Sequence, residues 1–301
     1  MKKLIVVGPV FFDLIFGNLS SLPKPGQEIS TSEFDFSIGG MGIVAVTARK
    51  LGLDVSLVSC IGDDLFGKYI CDYLVKNGVD TSYLYTQQRT PVSVAVNIGD
   101  RAFITFPGCS SHSSELPMAL TDVSSHIHGN FHQLKAINIE PFLKETSFSV
   151  TLSWEDALNW SKKDFKFLEN LDIFIMNQSE AKEITGLQRA EDQLSFLKGY
   201  VKEIVIITQG GKGAWASDGK KQIFIPSVSL EIKDTTGAGD SFIAGFLKGY
   251  LEHKPLHESL ALGNACGALS VSSYGGIHED LSYEKVLNLS RKILSHYVMG
   301  V

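Results

Sequence analysis

The nine residues DTTGAGDSF at positions 234–242 lead directly into an apolar segment of helical periodicity, Ala238–Leu251. Gly237 and Gly239 have no side chains, so their backbone N–H groups can point at a bound anion. The predicted helix brings its positive N-terminal end to the same place. This stretch therefore predicts an anion-binding loop at the start of a helix.

Asp240 lies inside that loop, in the first turn of the predicted helix. A carboxylate beside an anion site repels phosphate, which costs free energy unless the carboxylate takes part in the chemistry. Its natural task is to accept a proton from a hydroxyl that attacks phosphorus. A helix-capping aspartate is the structural alternative, but the complete nine-residue string favours the catalytic interpretation.

Short apolar runs alternate along the chain with segments of helical periodicity. Continuous apolar runs are typical of strands buried on both faces, and their alternation with helices predicts a mostly parallel sheet between two helical layers. The predicted strands are Leu4–Val7, Val55–Ser59, Ala136–Ile139, Ser149–Leu152, Ile173–Met176 and Ile204–Thr208. The predicted helices are Ile43–Leu51, Leu65–Asn77, Ser179–Thr185, Gln193–Val201, Ala238–Leu251, Leu256–Ser272 and Tyr283–Tyr297.

Two segments, approximately residues 10–38 and 88–108, depart from this alternation. Each contains an apolar–polar alternation typical of half-buried antiparallel strands, the second around a turn predicted at Gly99-Asp100. We expect the two segments to form one small sheet that projects from the main body as a lid. With no internal repeat or long linker, the expectation is a single domain over residues 1–301 with these two insertions.

Composition excludes several classes of function. The 301 residues carry a net charge of −6 and contain no basic run, so neither a nucleic-acid surface nor a polybasic membrane patch is indicated. No apolar run reaches the roughly 18 residues of a membrane span. The four cysteines, Cys60, Cys71, Cys109 and Cys266, show no metal-type spacing and are typical of free thiols in a reducing compartment. We therefore expect a cytoplasmic protein. His126 and His128 are expected in surface loops or helices, not in a metal site.

Two further loops follow predicted strands, where α/β proteins bind ligands. Asn177-Gln178-Ser179-Glu180 follows one strand, and Thr208–Gly213, with glycines at 210, 211 and 213, follows the next. Asn177 and Glu180 also have the spacing of a capping box. A glycine-rich loop on its own is equally typical of an ordinary turn. The functional interpretation depends on the order along the chain, in which this loop follows Asn177 and precedes Asp240.

Together these motifs resemble those of the ribokinase-like (PfkB) carbohydrate kinase family. DTTGAGDSF is similar to the family's C-terminal signature, residues 177–180 to its NxxE motif and residues 208–213 to its TxGxxG loop. Gly39–Gly42, Ala45, Ala48, Leu51-Gly52 and residues 61–67 are similar to its N-terminal signature. The resemblance implies a ribokinase-like three-layer α/β/α fold with a small β-sheet lid. It also implies ATP- and Mg²⁺-dependent phosphorylation of a hydroxyl, most simply a primary one, on a sugar-like molecule.

The resemblance also implies roles for individual residues. Asp240 would be the general base, with an anion hole formed by Gly237, Ala238 and Gly239. Nucleotide and Mg²⁺ binding would involve Asn177, Glu180, Thr208, Gly210, Gly211, Gly213 and Asn264. Many members bind a monovalent cation, here K⁺, at positions that match Asp234, Thr236, Ser270, Ser273 and Gly275.

The acceptor side follows from the same resemblance. The candidate substrate-binding residues are Asp13, Gly39, Gly40, Met41, Val44 and Glu140. Asp13 follows the first strand, where an acceptor-only carboxylate suits a diol, although a turn aspartate is the structural alternative. Glu140 is a candidate because it follows the strand predicted over Ala136–Ile139.

Three positions depart from the family pattern. Val44 stands where members usually have an asparagine that hydrogen-bonds a substrate hydroxyl. A site with valine at this position should select less strongly for substrates that carry that hydroxyl. Met41 stands where ribokinases and some phosphosugar kinases have lysine, and it cannot pair with a phosphate. No arginine follows Ser153-Trp154-Glu155-Asp156, where fructokinases carry one. These departures disfavour ribokinase proper, the phosphofructokinase branch and fructokinase proper.

Two other functions remain open. A nucleoside kinase of the same fold is suggested by Met41 and Val44 together with the aromatic residues Phe11, Phe12, Phe106 and Trp154. A non-catalytic sugar- or nucleotide-binding regulatory relative is the second, although the intact Asp240 and its glycines argue against it. An apolar face on the small sheet would suit a homodimer.

Overall fold

The computed structural model describes residues 3–87, 89–98, 101–109 and 125–299, without the side chains of Arg101 and residues 297–299. The predicted turn at Gly99-Asp100 lies outside these residues. The described strands are β1 (Lys3–Val7), β2 (Val10–Phe16), β3 (Phe34–Gly40), β4 (Val55–Gly62), β5 (Asp80–Gln87), β6 (Val92–Asn97), β7 (Arg101–Phe106), β8 (Ser125–Asn130), β9 (Ser147–Thr151), β10 (Ile173–Asn177), β11 (Ile204–Thr208), β12 (Gly213–Ser217) and β13 (Gln222–Pro226).

Nine of these strands form one sheet in the order β13-β12-β11-β10-β9-β8-β1-β4-β5. All neighbours from β11 to β5 are parallel, and β12 and β13 form an antiparallel edge. The sheet is therefore mostly parallel, as the alternation of strands and helices predicted. The antiparallel edge and β5 had no clear apolar run to reveal them.

Helices cover both faces of this sheet. They are α1 (Met41–Lys50), α2 (Leu65–Lys76), α3 (Phe131–Ala136), α4 (Trp154–Leu158), α5 (Lys162–Leu168), α6 (Gln178–Thr185), α7 (Ala190–Lys198), α8 (Ala238–Leu251), α9 (Leu256–Ser270) and α10 (Tyr283–Met299). The first core contains side chains of α1, α2, α8, α9 and α10, and the second those of α3 to α7. On β1, Val6 packs into the first core and Val7 into the second. The expected three-layer α/β/α architecture is confirmed.

The strand predicted over Ala136–Ile139 is wrong. Ala136 ends α3, and the following loop leads into a 3-10 turn at Glu140–Phe142. Ile137 and Ile139 are buried because the end of a short helix packs on the second core. Four apolar residues do not distinguish a strand from such a junction.

The strand that occupies this position in the sheet, β8, is polar. His126 and His128 are fully buried in it, which corrects the expectation that they lie at the surface. The ring nitrogens of His126 lie 2.8 and 2.7 Å from the hydroxyl oxygens of Ser147 and Ser149 on β9. Because buried polar groups need such partners, the serines of one strand make histidines acceptable in the next.

The other four strands form the expected small sheet, in the order β3-β2-β6-β7. Strands β2 and β6 are parallel and the two outer pairs are antiparallel. The side chains alternate across it, so that Asp13 lies on the face toward the gap between the two sheets and Leu14 on the opposite, outer face, which α2 covers in part where Phe12 packs on Phe66 and Tyr69. In register with Leu14 are Phe36, Val94 and Ile104. The outer face is therefore apolar along this row.

Parallel strands bring their carboxyl ends to one edge of the main sheet. Asn130, Thr151, Asn177 and Thr208 are the last residues of β8 to β11. They line one cavity together with the start of α8, which fixes where a ligand site can form. In the part of the chain that the structure describes, every helix is too short or too polar to cross a membrane.

Candidate active site

The start of α8 has the backbone geometry that the sequence predicted. Gly237 is the N-cap residue with φ of 69°, in the left-handed region that glycine adopts without strain. A Cβ atom there would lie 2.5 Å from Cδ1 of Ile43. Asp240 is the third helical residue and not the N-cap, so the simple capping role is wrong. Because the helix begins here, its first N–H groups lack the carbonyl one turn earlier that later groups bond to, and the Ala238 N–H lies 3.4 Å from the Thr235 carbonyl oxygen.

Asp234 holds the loop that precedes the helix. One carboxylate oxygen accepts hydrogen bonds from the backbone N–H and hydroxyl of Thr236, at 2.9 and 2.8 Å. The other accepts from the N–H of Gly275 at 3.0 Å. Ser270 donates to the Gly276 carbonyl at 2.8 Å, and Ser273 donates to the carbonyl of Ser270. All five candidate K⁺ residues therefore converge on one small region.

The largest cavity at the α8 N-terminus, about 480 Å³, is called the glycine-loop cavity. Six of the predicted nucleotide residues line it: Asn177, Thr208, Gly210, Gly211, Gly213 and Asn264. Ala238 and Gly239 line it as well. The sequence did not indicate its apolar wall, formed by Val228, Leu230, Ile232, Phe242, Ala268 and Val271. These residues are separated along the chain and belong to no motif.

Asn264 also has a structural role in that wall. Its side-chain amide donates to the carbonyls of Ile225 and Pro226 at 2.8 and 3.1 Å. These bonds fix the end of β13 against α9. The position of Asn264 in the cavity is therefore set by a strand edge that the sequence did not reveal.

Asn177 and Glu180 form the predicted capping box at the start of α6. The Asn177 side-chain oxygen accepts the Glu180 N–H, and a Glu180 carboxylate oxygen accepts the Asn177 N–H, both at 2.9 Å. Glu180 is 7% exposed. Burial raises the pKa of Glu180 to about 7, although the bonds from Asn177 act to lower it. This carboxyl group lines the strand-end cavity of about 270 Å³, defined by the ends of β8 to β11 together with Gly40, Gly237 and Asp240.

A third cavity of about 250 Å³ lies between the two sheets and is called the two-sheet cavity. Asp13, Ser93, Phe103 and Thr105 of the small sheet line it on one side, and Thr236, Gly237 and Asp240 on the other. Asp13 is 5% exposed. Burial, and then the nearby charges of Asp240 and Asp234, raise the pKa of Asp13 to about 7. Two carboxylates therefore face one small volume.

The predicted acceptor residues are only partly brought together. Gly40 lines both smaller cavities and Met41 lines the strand-end cavity. Gly39 packs on Asp13 so closely that a Cβ there would collide with the carboxylate. Val44 is fully buried in the first core, and it is its neighbour Ile43 that lines the two-sheet cavity. The helical turn of α1 directs consecutive residues to different sides, which corrects the prediction for Val44.

Glu140 is the other correction. It is exposed on the 3-10 turn and is not among the described residues that line these cavities. Its assignment depended on a strand that does not exist. Asn130 and Thr151, the last residues of β8 and β9, are the polar residues that line the strand-end cavity instead. A polar residue at the end of each buried strand was the signal that could have found them.

Comparison with known proteins agrees with this arrangement. The model of the pfkB family carbohydrate kinases matches residues 1–282. The chain is 28% identical over 290 residues to the ribokinase of Haemophilus influenzae, covering 91% of this chain and 94% of that protein. It is 28% identical over 305 residues to a nucleoside kinase of Methanocaldococcus jannaschii, covering 97% and 98%.

A solved structure shares the whole architecture. Arabidopsis thaliana ribokinase, complexed with ribose and ATP, superposes with a TM-score of 0.80 at 21% identity, covering 96% of this chain and 99% of that one. Because the family model spans nearly the full length, this chain belongs to the pfkB family of carbohydrate kinases, which are phosphotransferases with a hydroxyl acceptor.

Proposed function

We propose that this protein transfers the γ-phosphoryl group of ATP to a hydroxyl, most simply a primary one, of a small sugar. The supporting observation is the position of Gly239, which lines both the glycine-loop cavity and the strand-end cavity that contains Asp240. A nucleotide held by the glycine loops would direct its terminal phosphate toward the α8 N-terminus. The acceptor would approach from the opposite side, between the two sheets.

In this proposal Asp240 is the general base. Its carboxylate accepts the proton of the acceptor hydroxyl while that oxygen bonds to phosphorus and the bond to ADP breaks. Asp13 orients the acceptor by accepting hydrogen bonds from its other hydroxyls. Such positioned proton transfer typically contributes about 100- to 10,000-fold to a rate.

The amides of Gly237, Ala238 and Gly239 form the proposed anion hole. Charge spreads over the oxygens of the transferring phosphoryl group, and preformed N–H donors stabilise it without reorganisation. The left-handed Gly237 is what lets the chain turn these donors toward the cavities.

Asn177 and Glu180 are the residues that would hold Mg²⁺ with the nucleotide. Their carboxylate and amide oxygens are hard donors of the kind that this ion prefers, and both residues line the strand-end cavity. The bound ion would offset negative charge on the phosphates. The hydrogen bonds of the capping box hold Asn177 and Glu180 in a fixed arrangement beside this cavity.

We also propose K⁺ activation through Asp234, Thr236, Ser270, Ser273 and Gly275. Their convergence beside the Gly237 loop is the support, because an ion bound there through carbonyl oxygens would steady the anion hole. The initial rate should rise with added KCl at constant ionic strength, balanced with choline chloride. A rate that is independent of K⁺ would remove this part of the proposal.

The acceptor is proposed to be uncharged. The described residues that line the two smaller cavities include Asp13, Asp240 and Glu180 but no lysine, arginine or histidine. A second phosphate or a carboxylate on the acceptor would meet these acidic side chains with no basic side chain to pair with, because the amides at the start of α8 are taken by the transferring phosphoryl group in this proposal. A nucleoside is the second candidate, favoured by Phe11 and Phe103, whose rings line the two-sheet cavity and can stack on a base.

The small sheet is proposed to act as a lid and as a dimer surface in the cytoplasm. Its outer face exposes 55% of Phe34 and 67% of Ile104, with Phe36 and Phe106 also exposed. A patch of this kind favours self-association, and a second copy would cover it with the same residues. All four cysteines are free, as expected for a reducing compartment.

Release of ADP across a panel of acceptors tests the reaction. The panel contains pentoses, hexoses, 2-keto-3-deoxygluconate and nucleosides, with an acceptor-free control for ATP hydrolysis. A neutral sugar should give the highest turnover and the acidic sugar none. If ligands raised the melting temperature but no acceptor raised ADP release, a non-catalytic binding protein would replace the proposed kinase.

A further inference from the structure

The hairpin of β6 and β7 joins the rest of the chain through two short stretches, Arg89–Pro91 and Gly108–Cys109. These stretches, called the hairpin base, contact each other directly. The Cys109 N–H donates to the Arg89 carbonyl at 3.0 Å. A Cβ at Gly108 would lie 2.6 Å from that same carbonyl oxygen. The two ends of the hairpin therefore move together.

Asp64 attaches this base to the main body. It caps the N-terminus of α2 by accepting the Gly67 N–H at 2.9 Å. The same carboxylate accepts the Thr90 N–H at 2.9 Å and the Thr90 hydroxyl at 2.6 Å. Partial burial raises the pKa of Asp64, but the bonds from Thr90 and Gly67 outweigh it and hold that pKa below its ordinary value. One ionised side chain thus joins a helix of the main body to the hairpin.

The joint is also closely packed. The Gly62 N–H donates to the Thr90 hydroxyl oxygen at 3.0 Å, and Thr90 is buried. A Cβ at Gly62 would collide with the Thr90 backbone nitrogen, and one at Gly67 would lie 2.9 Å from its hydroxyl oxygen. The hydroxyl both donates and accepts a hydrogen bond, and the two glycines leave no room for a side chain beside it. Thr90 therefore has one defined position relative to β4 and α2.

The hairpin carries two polar residues of the two-sheet cavity. Ser93 follows Thr90 by three positions and Thr105 precedes Gly108 by three. They are cross-strand partners, with their hydroxyl oxygens 3.4 Å apart. Both line the cavity that Asp13 and Asp240 share. The joint itself does not line any of these three cavities, and the hairpin is the most direct connection between it and the two-sheet cavity.

We propose that Asp64 is a positioning residue for the acceptor: through Thr90 it fixes the hairpin base and thereby sets where Ser93 and Thr105 stand relative to Asp240. This inference rests on the proposed kinase reaction. The proposal predicts different effects on the binding of the two substrates, because no residue of the hairpin lines the glycine-loop cavity. Loosening the joint should weaken acceptor binding and leave nucleotide binding nearly unchanged.

The test compares Thr90→Val with Thr90→Ser, which differ in the hydroxyl that Asp64 needs. Asp64→Asn removes the charge, and Asp63→Asn changes the exposed neighbour as a matched control. Thr90→Val and Asp64→Asn should raise the acceptor KM about tenfold while the KM for ATP changes less than about twofold. Thr90→Ser and Asp63→Asn should match the wild type within about twofold. Folded variants with an unchanged acceptor KM, or with both KM values raised equally, would overturn the proposal.

Hydrogen exchange provides a second measurement that does not require turnover. Thr90→Val should speed amide exchange in β6 and β7 and leave α8 unchanged. If the wild type phosphorylates no acceptor, the proposed kinase reaction has failed, while this exchange pattern still shows whether the joint holds the hairpin. Equal exchange in both proteins would show that the joint does not hold it. If Asp64→Asn does not fold, the Thr90 pair decides the question alone.

Discussion

The glycine-loop cavity and the two-sheet cavity meet at the start of α8 but are built in different ways. Glycine loops and aliphatic side chains within one packed body form the first. The second lies between two sheets, contains the carboxylates of Asp13 and Asp240, and takes part of its wall from the β6–β7 hairpin. Changes on the two sides should therefore have separable effects, with nucleotide binding set by backbone and acceptor binding by side chains.

The largest effect on turnover is expected at Asp240, where the nucleotide side and the acceptor side of the site meet. Asp240→Asn should lower kcat about 100- to 10,000-fold by removing the base, with little change in either KM. Steady-state ADP release with the best acceptor measures it, and Asp72→Asn on the surface of α2 serves as control. Full turnover by Asp240→Asn would show that another group takes the proton.

The two glycines beside Asp240 should respond differently to an added methyl group. Gly237→Ala forces a left-handed residue to carry a Cβ against Ile43, which should cost about 1 to 2 kcal/mol of stability and lower kcat about 100-fold. At Gly239 a Cβ has open space around it. Gly239→Ala should therefore keep the melting temperature but raise the KM for ATP. Equal losses of melting temperature would contradict the loop geometry described here.

Asp13→Asn should affect the acceptor side alone. Losing hydrogen bonds to a charged group should raise the acceptor KM about 10- to 100-fold and leave the KM for ATP unchanged. In the wild type the acceptor KM should fall as pH rises from 6 to 8, because Asp13, with its pKa raised to about 7, becomes charged over this range. The variant should lack this dependence. A parallel pH profile in both proteins would assign the titration to another group.

The raised pKa of Asp13 also predicts how the stability of the fold depends on pH. Rising pH should improve acceptor binding but lower stability. The unfolded carboxyl ionises near its ordinary pKa of 3.8, whereas the folded one resists until about 7. Ionisation therefore favours the unfolded chain, and wild-type stability should fall relative to Asp13→Asn as pH rises from about 4 to 7. Above that range the difference in melting temperature should stay constant. A wild-type stability that stays constant or rises relative to Asp13→Asn between pH 4 and 7 would show that Asp13 is not buried in this way.

The smallest effect on catalysis is expected on the outer face of the small sheet. Ile104→Glu should turn a dimer into a monomer, because it places a charge in the apolar patch. Light scattering measures the mass, and kcat should stay within about twofold because Ile104 points away from the cavities. Lys68→Gln at the surface of α2 provides a control that also lowers the net charge by one. A wild-type protein that is monomeric at high concentration would remove the dimer from the proposal.

The same two cavities show what sequence can reveal. Every nucleotide candidate except Glu180 lines the glycine-loop cavity. Asn177, Thr208 and the three glycines could be predicted because they lie where strands end, with local spacing. Asn264 lies in the middle of α9 and was predicted by family resemblance alone. Ser93 and Thr105 meet only through the register of two strands, which no local pattern encodes. Glu140 failed with the strand on which it depended. The polar β8 stayed hidden because the serines that bond to both ring nitrogens of His126 and to Nδ1 of His128 come from β9.

In the described structure, the strands of the small sheet pair only with one another. Residues 10–40 and 89–109 could therefore be exchanged between relatives without altering the register of the main sheet, provided that the main body keeps a matching surface for Phe12 and Ile38, which belong to the first core. Such a graft would carry the acceptor preference with it and leave the use of ATP to the recipient. Diversification of a kinase by exchange of this unit requires that the recipient keep both a residue like Asp64 and the core surface that receives Phe12.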